Sequence, residues 1–244
     1  MRPLTYCRLR TLMNRHEVQT GISQAWKTVE ELGLGLTISD PSPLDVNDQF
    51  RDICIKANAS YVDIYELGLK LSYYNFSFND YSYFQFSWSG DNNVRYAYYP
   101  NPYLSGDQEA VAKLAKWHEL LGAGLITHED FLEYLRGRPA DARIPLIRYE
   151  NAPAQYKRFS HPCSHMHIGR HDDNRWAVDR LLTPHAFVLL IIKQYYGSTW
   201  RALENDQEEN GNELETKLIN AKQNSRQIGT DYFEEIERRS FYLG

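Results

Sequence analysis

The chain of 244 residues predicts an α+β fold with a mostly antiparallel sheet, an aromatic hairpin plus three later strands, flanked by N-terminal and C-terminal helices. Three observations carry that expectation. Helical periodicity fills the first part of the chain. Two aromatic segments, YSYFQFSWS (81–89) and VRYAYYP (94–100), alternate with period two about a GDNN turn. Helical patterns return after the last strand-like segment. Strands that cluster between helices differ from the alternating β and α segments that build parallel sheets. The expected organisation is a single domain over 1–244, helical over 1–75, with a sheet core over 76–183 that carries helices at 107–136, and helical again over 184–244.

Each element has a local reason. In RHEVQTGISQAWKTVEELG (15–33), Val18, Ile22, Ala25, Val29 and Leu32 recur at spacings of three and four, so one face of a helix is apolar. A loop with two prolines follows (SDPSPLD). Residues 46–71 read as helical, with Phe50, Ile53, Cys54 and Ala57 on one face and Val62, Tyr65 and Leu69 continuing it after a break near Asn58. In the aromatic hairpin, Tyr81, Tyr83, Gln85, Ser87 and Ser89 share one face, and Ser82, Phe84, Phe86 and Trp88 the other. DQEAVAKLAKWHELL (107–121) is helical. THEDFLEYL starts a further helix, with Thr127 as N-cap and Asp130 three residues later completing a capping box. RGRPADA reads as a loop. Residues 144–153, 161–169 and 175–182 read as strands. Pro184, with Thr183 as cap, opens an apolar helix to about residue 200. Residues 213–238 are helical and polar-faced.

Composition bounds the function. Apolar residues make up 42% and charged residues 24%, as in ordinary globular proteins. The longest apolar run, AFVLLII (186–192), is far short of the roughly 18 residues that span a bilayer, so no membrane association is expected. The N-terminus lacks the apolar region and cleavage site of a secretion signal. The three cysteines, Cys7, Cys54 and Cys163, make no disulfide framework. A reducing cytoplasm is the simplest compartment. The net charge is −5, but residues 204–215 hold six acids and no base, which leaves the rest near neutral and able to carry a local basic surface. That acidic stretch reads as a solvated loop or helix start. There is no phosphate-binding glycine loop, paired CxxC or GxSxG elbow.

The chemistry concentrates in HPCSHMHIG (161–169). On a strand, residues two apart share a face, so His161, Cys163, His165 and His167 would line up, with Pro162 disturbing the start. Three readings compete. In the first, His165 and His167 ligate a divalent metal, joined by Cys163 or His161 and by a carboxylate from Glu150, Asp172 or Asp173. In the second, the imidazoles act as general acid and base without metal, and Arg148 steadies charge on a phosphate. In the third, the histidines are structural. Spacing excludes the histidine-triad hydrolases, since Gly169 stands where the third imidazole belongs; it also excludes a cupin motif and the zinc deaminase Pro-Cys-x-x-Cys. In RYENAP (148–153), Arg148 and Glu150 share a face beside these histidines. Arg95 and Tyr98 of the hairpin are candidates for contact with nucleic acid, since tyrosine-rich strands with interspersed arginine can stack bases.

The blocks SYFQFSWS, RYAYYPNPY, IRYENAP, HPCSHMHIG and LLTPHAFVLLIIKQYY, in that order over most of residues 60–200, resemble a bacterial family known as domain of unknown function 2290. The resemblance implies no activity; it singles out His161, Ser164, His165, His167 and Gly169. The RYENAP…HxH sequence is also similar to part of certain small bacterial toxin components that pair with an antitoxin. Together these point to a histidine-dependent phosphodiesterase or nuclease of a toxin–antitoxin or phage-defence system, with nucleic acid as substrate and an antitoxin or defence subunit as protein partner. Its catalytic residues would be His161, His165, His167 and Arg148, and its binding residues Arg95, Tyr98, Glu150, Ser164 and Arg170. A divalent metal, if used, would sit on His165, His167 and Cys163. The alternative is a non-catalytic binding or scaffolding subunit with structural histidines.

Overall fold

In the computed structural model, which describes residues 13–90, 92–104, 108–137, 144–170, 173–202 and 212–241, seven strands form one sheet whose spatial order follows the chain. They are β1 (Gly35–Ile38), β2 (Phe76–Phe78), β3 (Tyr83–Trp88), β4 (Val94–Tyr99), β5 (Ile147–Asn151), β6 (Ser164–Ile168) and β7 (Trp176–Ala177), and every adjacent pair is antiparallel. The helices are α1 (Arg15–Glu31), α2 (Asp48–Ile55), α3 (Tyr61–Lys70), α4 (Gln108–Gly122), α5 (His128–Arg136), α6 (Pro184–Tyr195), α7 (Gly197–Arg201), α8 (Glu213–Asn224) and α9 (Glu235–Phe241). The α+β class is as expected, and the helix starts follow the anticipated chemistry. Thr127 and Asp130 form a reciprocal capping box on α5, and the Thr183 side chain accepts from the Ala186 amide ahead of α6.

The structure corrects several boundaries. β1 and β2 lie at the near end of the sheet, β1 within a region expected to be helical; at four and three residues they are too short to show a period. Residues 175–182 are two short strands, because β8 (Arg180–Leu181) leaves the main sheet to pair with β9 (Arg226–Gln227), which also interrupts the expected helical tail. The apolar helix bends at Tyr196 (φ −118°, ψ 47°), so α6 and α7 are separate. Ala57 falls beyond α2 and is exposed. The Cys7 region, the RGRPADA loop from residue 138 and most of the acidic stretch lie outside the described residues.

The alternation of the strands sorts their side chains onto two unequal faces. Phe84, Phe86, Tyr96, Tyr98 and Tyr149 join Val18, Ile22 and Val29 of α1 and Phe187, Val188 and Ile191 of α6 in one apolar core. Burial of each such side chain stabilises by about 1.5–3 kcal/mol. On the opposite face, Tyr83, Ala97 and Tyr99 pack against Phe50 of α2, Tyr65 and Leu69 of α3, and Phe131 and Leu135 of α5. Tyr65, Tyr83 and Tyr99 stack in a row, with ring centroids 5.5 and 4.8 Å apart. No residue of β5 or β6 except Ile147, Tyr149 and Met166 belongs to or packs on either core, and these three face α6. The second face is therefore covered by apolar helices only as far as β4. Beyond it the sheet presents Arg148, Glu150, His165 and His167.

Two expectations follow from this packing. Gly68 lets α3 lie directly on the Tyr83 ring: a Cβ there would stand 2.1 Å from Tyr83 Oη and 2.7 Å from its Cζ. Gly68→Ala should lower the free energy of unfolding by about 1–3 kcal/mol through overpacking, read by chemical denaturation; an unchanged midpoint would contradict the stacking. His185, half-buried where α6 meets α1, has Nε2 3.0 Å from Thr28 Oγ1. Burial, then the Lys217 ammonium, holds its pKa below the ordinary value, against a smaller opposing effect of Glu31. The unfolded chain thus binds the proton more readily, so this histidine costs stability as pH falls below about 6.5. His185→Gln should flatten the decline in melting temperature between about pH 7 and 5; an unaltered slope would contradict a neutral half-buried imidazole.

Candidate functional site

The register of the central strands assembles the site. Ser87 lies opposite Arg95, Arg95 opposite Glu150, Glu150 opposite His165 and His165 opposite Ala177. The adjacent row runs Gln85, Ala97, Arg148, His167. Directly opposed residues place their Cβ atoms about 4.5–5.5 Å apart on one face, so two rows from five strands converge on the side that the apolar helices leave uncovered.

His165 and His167 are buried, and their Nε2 atoms lie 3.1 Å apart. His165 Nδ1 is 2.8 Å from the Pro162 carbonyl, which can only accept; Nδ1 therefore carries the proton and Nε2 its lone pair. Such a bond on the far nitrogen is how metal-ligating histidines are oriented. A tetrahedral cation holding two imidazole nitrogens at about 2.0–2.1 Å sets them roughly 3.3–3.4 Å apart, and an octahedral one about 3.0 Å. The observed separation falls between. One carboxylate oxygen of Glu150 completes a set of ligand atoms all within 4.8 Å of one another. The widest of these separations would contract on a cation, and Glu150, at the mouth of the site, has the freedom to move. It pairs with Arg95 at 3.5 Å and Arg148 at 3.8 Å, both beyond ordinary hydrogen-bond length.

Beside this cluster, α2 and the chain on either side of it stand over the sheet and enclose a cavity of about 600 Å³. Arg51, Lys56, Arg95, Arg148 and Arg170 line it, and Glu150 is the one acid among its described lining residues. Arg51 is committed to Asp48 and Asp52. The remaining cations leave the cavity electropositive. The Cys54 thiol reports this environment. Burial pushes its pKa up, while Arg95, Arg148 and Arg170 pull the other way. Burial, and next the neighbouring His167, press the His165 imidazole down to about 4, and burial followed by Arg175 lowers His161. Both rings are thus neutral near pH 7.

The other residues singled out in the sequence fall in different places. His161 is not on the strand; it bridges back to Lys157 and meets the His165 ring edge-on at 5.1 Å, because Pro162 turns the chain before β6 begins. Cys163 also precedes β6, and its thiol faces the Asn151 side chain at 3.6 Å, away from the ligand set that Glu150 completes. Ser164 and Tyr98 occupy even positions on the opposite face. Ser164 Oγ donates to the Arg180 carbonyl and pairs with the Tyr149 hydroxyl, and Tyr98 is sealed against Tyr196. Arg170 reaches the cavity from beyond β6. Asp173 is exposed beside Arg175, and His171 and Asp172 lie outside the described residues. Sequence reading missed the α2 wall, including Lys56, Ile55 and Tyr73. Its available signal was the hairpin's non-aromatic positions, Gln85, Ser87, Arg95 and Ala97, which mark where a partner helix does not seal the sheet.

The fold and site together define an α+β protein whose antiparallel sheet carries a two-histidine, one-glutamate cluster at the edge of a basic cavity. The chain belongs to the family described as Uncharacterized conserved protein (DUF2290), whose model matches residues 39–230, a span that includes both walls of the cavity and omits α1. No curated protein and no solved structure matches the chain. No helix among the described residues is long and apolar enough to cross a membrane.

The Pro162 contact fixes a tautomer that can be read directly. Nitrogen-15 correlation spectra at neutral pH should show His165 protonated at Nδ1 and bare at Nε2; the reverse tautomer would contradict the geometry.

Proposed function

We propose that this protein is a divalent-metal-dependent phosphodiesterase that acts on nucleic-acid-type phosphodiesters. The observation that carries this reading is the convergence of Glu150, His165 and His167 at the rim of a cavity rich in cations. A metal there would supply Lewis-acid polarisation of a phosphoryl oxygen and a water made nucleophilic at neutral pH. His165 and His167 would hold it, Glu150 would add the anionic ligand, and His161 props the His165 ring. Arg95 and Arg148 would stabilise the negative charge that gathers as water attacks phosphorus and the bond to the leaving oxygen breaks; the proton from water would end on that oxygen. The 3.1 Å contact between the imidazoles is also the length of an N–H···N hydrogen bond, which favours a second reading: a metal-free acid–base pair acting on the same ester.

The test is metal content and hydrolysis of bis-p-nitrophenyl phosphate by the full chain. About one divalent transition-metal ion per chain should be present after reconstitution, and activity should vanish on chelation and return with metal. Glu150→Gln, at a partly exposed position that folding should tolerate, should cut activity by more than roughly a hundredfold, beyond the usual loss for an outer-sphere partner. The double variant His165→Ala, His167→Ala should bind no metal. Activity that survives chelation would select the acid–base pair; folded protein with neither metal nor hydrolysis would overturn both.

A further inference from the structure

The cavity has two chemically different walls. The sheet side is cationic, with Arg95 and Arg148 on neighbouring strands and Arg170 just beyond β6. The α2 side is mixed: beside Arg51 and Lys56 it carries Val46, just before the helix, and Ile55, at its last turn, each 75% exposed. Single exposed apolar residues are ordinary on protein surfaces. Two that line one cavity, opposite a group of cations, constitute a recognition pattern. An inorganic anion would satisfy the sheet wall and leave the apolar side chains of the α2 side wet. A ligand that uses both walls carries an anionic part and a compact apolar part a few ångströms away.

From this, resting on the phosphodiesterase reading above, we infer that the cavity receives a nucleotide at the end of a single strand, its phosphate against Arg95 and Arg170 and its base against Ile55. The volume supports this class. At about 600 Å³ it lies within the roughly 300–1,000 Å³ of small-ligand sites and takes one or two nucleotides. Every base offers a flat, weakly polar face that packs on an apolar wall whatever its identity, so such a site discriminates strand ends by form more than by sequence. A duplex keeps its base faces stacked and presents none of them to the wall. The metal cluster stands at the cavity edge through Glu150, so a phosphate held by Arg95 lies next to Glu150 on the same row of the sheet.

The experiment is calorimetric titration of the full-length protein, with and without chelator. The probes are thymidine 5′-monophosphate, a phosphorothioate-linked dinucleotide, inorganic phosphate, a short blunt duplex and phosphatidylglycerol vesicles. The nucleotides should bind roughly tenfold or more tightly than inorganic phosphate, a margin typical of one base contact. Ile55→Ser, at a position too exposed to disturb folding, should remove that margin while affinity for phosphate stays the same. Arg170→Gln should weaken both ligands. Equal affinity for nucleotide and phosphate, an Ile55→Ser variant that keeps the margin, or tighter binding of duplex or vesicles would overturn the inference. Nucleotide binding without any hydrolysis would uphold this pocket and end the phosphodiesterase reading. Metal-dependent hydrolysis without nucleotide preference would do the opposite.

Discussion

The pairing register between β4, β5 and β6 is the constraint on which the rest depends. Opposing Glu150 to His165 and Arg148 to His167 brings residues from two strands onto one face. A slip of one residue would carry the histidines into the apolar core and expose Tyr149 and Met166. The register is secured from the back of the sheet. There the Tyr149 hydroxyl pairs with Ser164 and accepts from the Leu182 amide, which ties β5, β6 and the chain entering α6 to one another. The polar face is thus held by hydrogen bonds and aromatic packing on the opposite face, which leaves its own side chains to serve chemistry.

That division explains why so many charges can sit on a sheet without destabilising it. Glu150 is shared between two guanidinium groups at distances longer than hydrogen bonds. The Arg95 pair, partly open to solvent, contributes little to stability, typically about 1 kcal/mol or less. Stability resides elsewhere, in the aromatic stack of Tyr65, Tyr83 and Tyr99 and in the α1–α6 core. A carboxylate that faces two guanidinium groups and two imidazoles, at more than hydrogen-bond length from either guanidinium, keeps its oxygens reachable. This is the state required of a ligand that must accept a cation.

Much of the sheet and part of the site could be read from residue order. Strict alternation in YFQFSW and VRYAYY showed the hairpin and its two faces, and the His-x-His spacing showed that His165 and His167 share a side. Glu150 was one of three carboxylates that local spacing left open, because its nearness to His165 comes from pairing across fourteen intervening residues, which no periodicity encodes. Cys163 and His161 shared odd numbering with the true pair, but Pro162 ends the extension that parity assumes. Tyr98 and Ser164 looked polar enough for a binding role. Their hydroxyls instead bond in the interior, Tyr98 with the Tyr196 hydroxyl and Ser164 with the Arg180 carbonyl. The α2 wall was legible only indirectly, through the non-aromatic hairpin positions, since nothing in DQFRDICI states which part of a sheet a helix will overhang.

The most direct measurement of the central claim is X-ray absorption at the edge of a metal loaded stoichiometrically into the full chain. Strand register as described predicts a first shell with two imidazole nitrogens at about 2.0–2.1 Å and carboxylate or water oxygen beside them. A shell of oxygens alone, or a sulfur at about 2.3 Å that brings in Cys163, would contradict it.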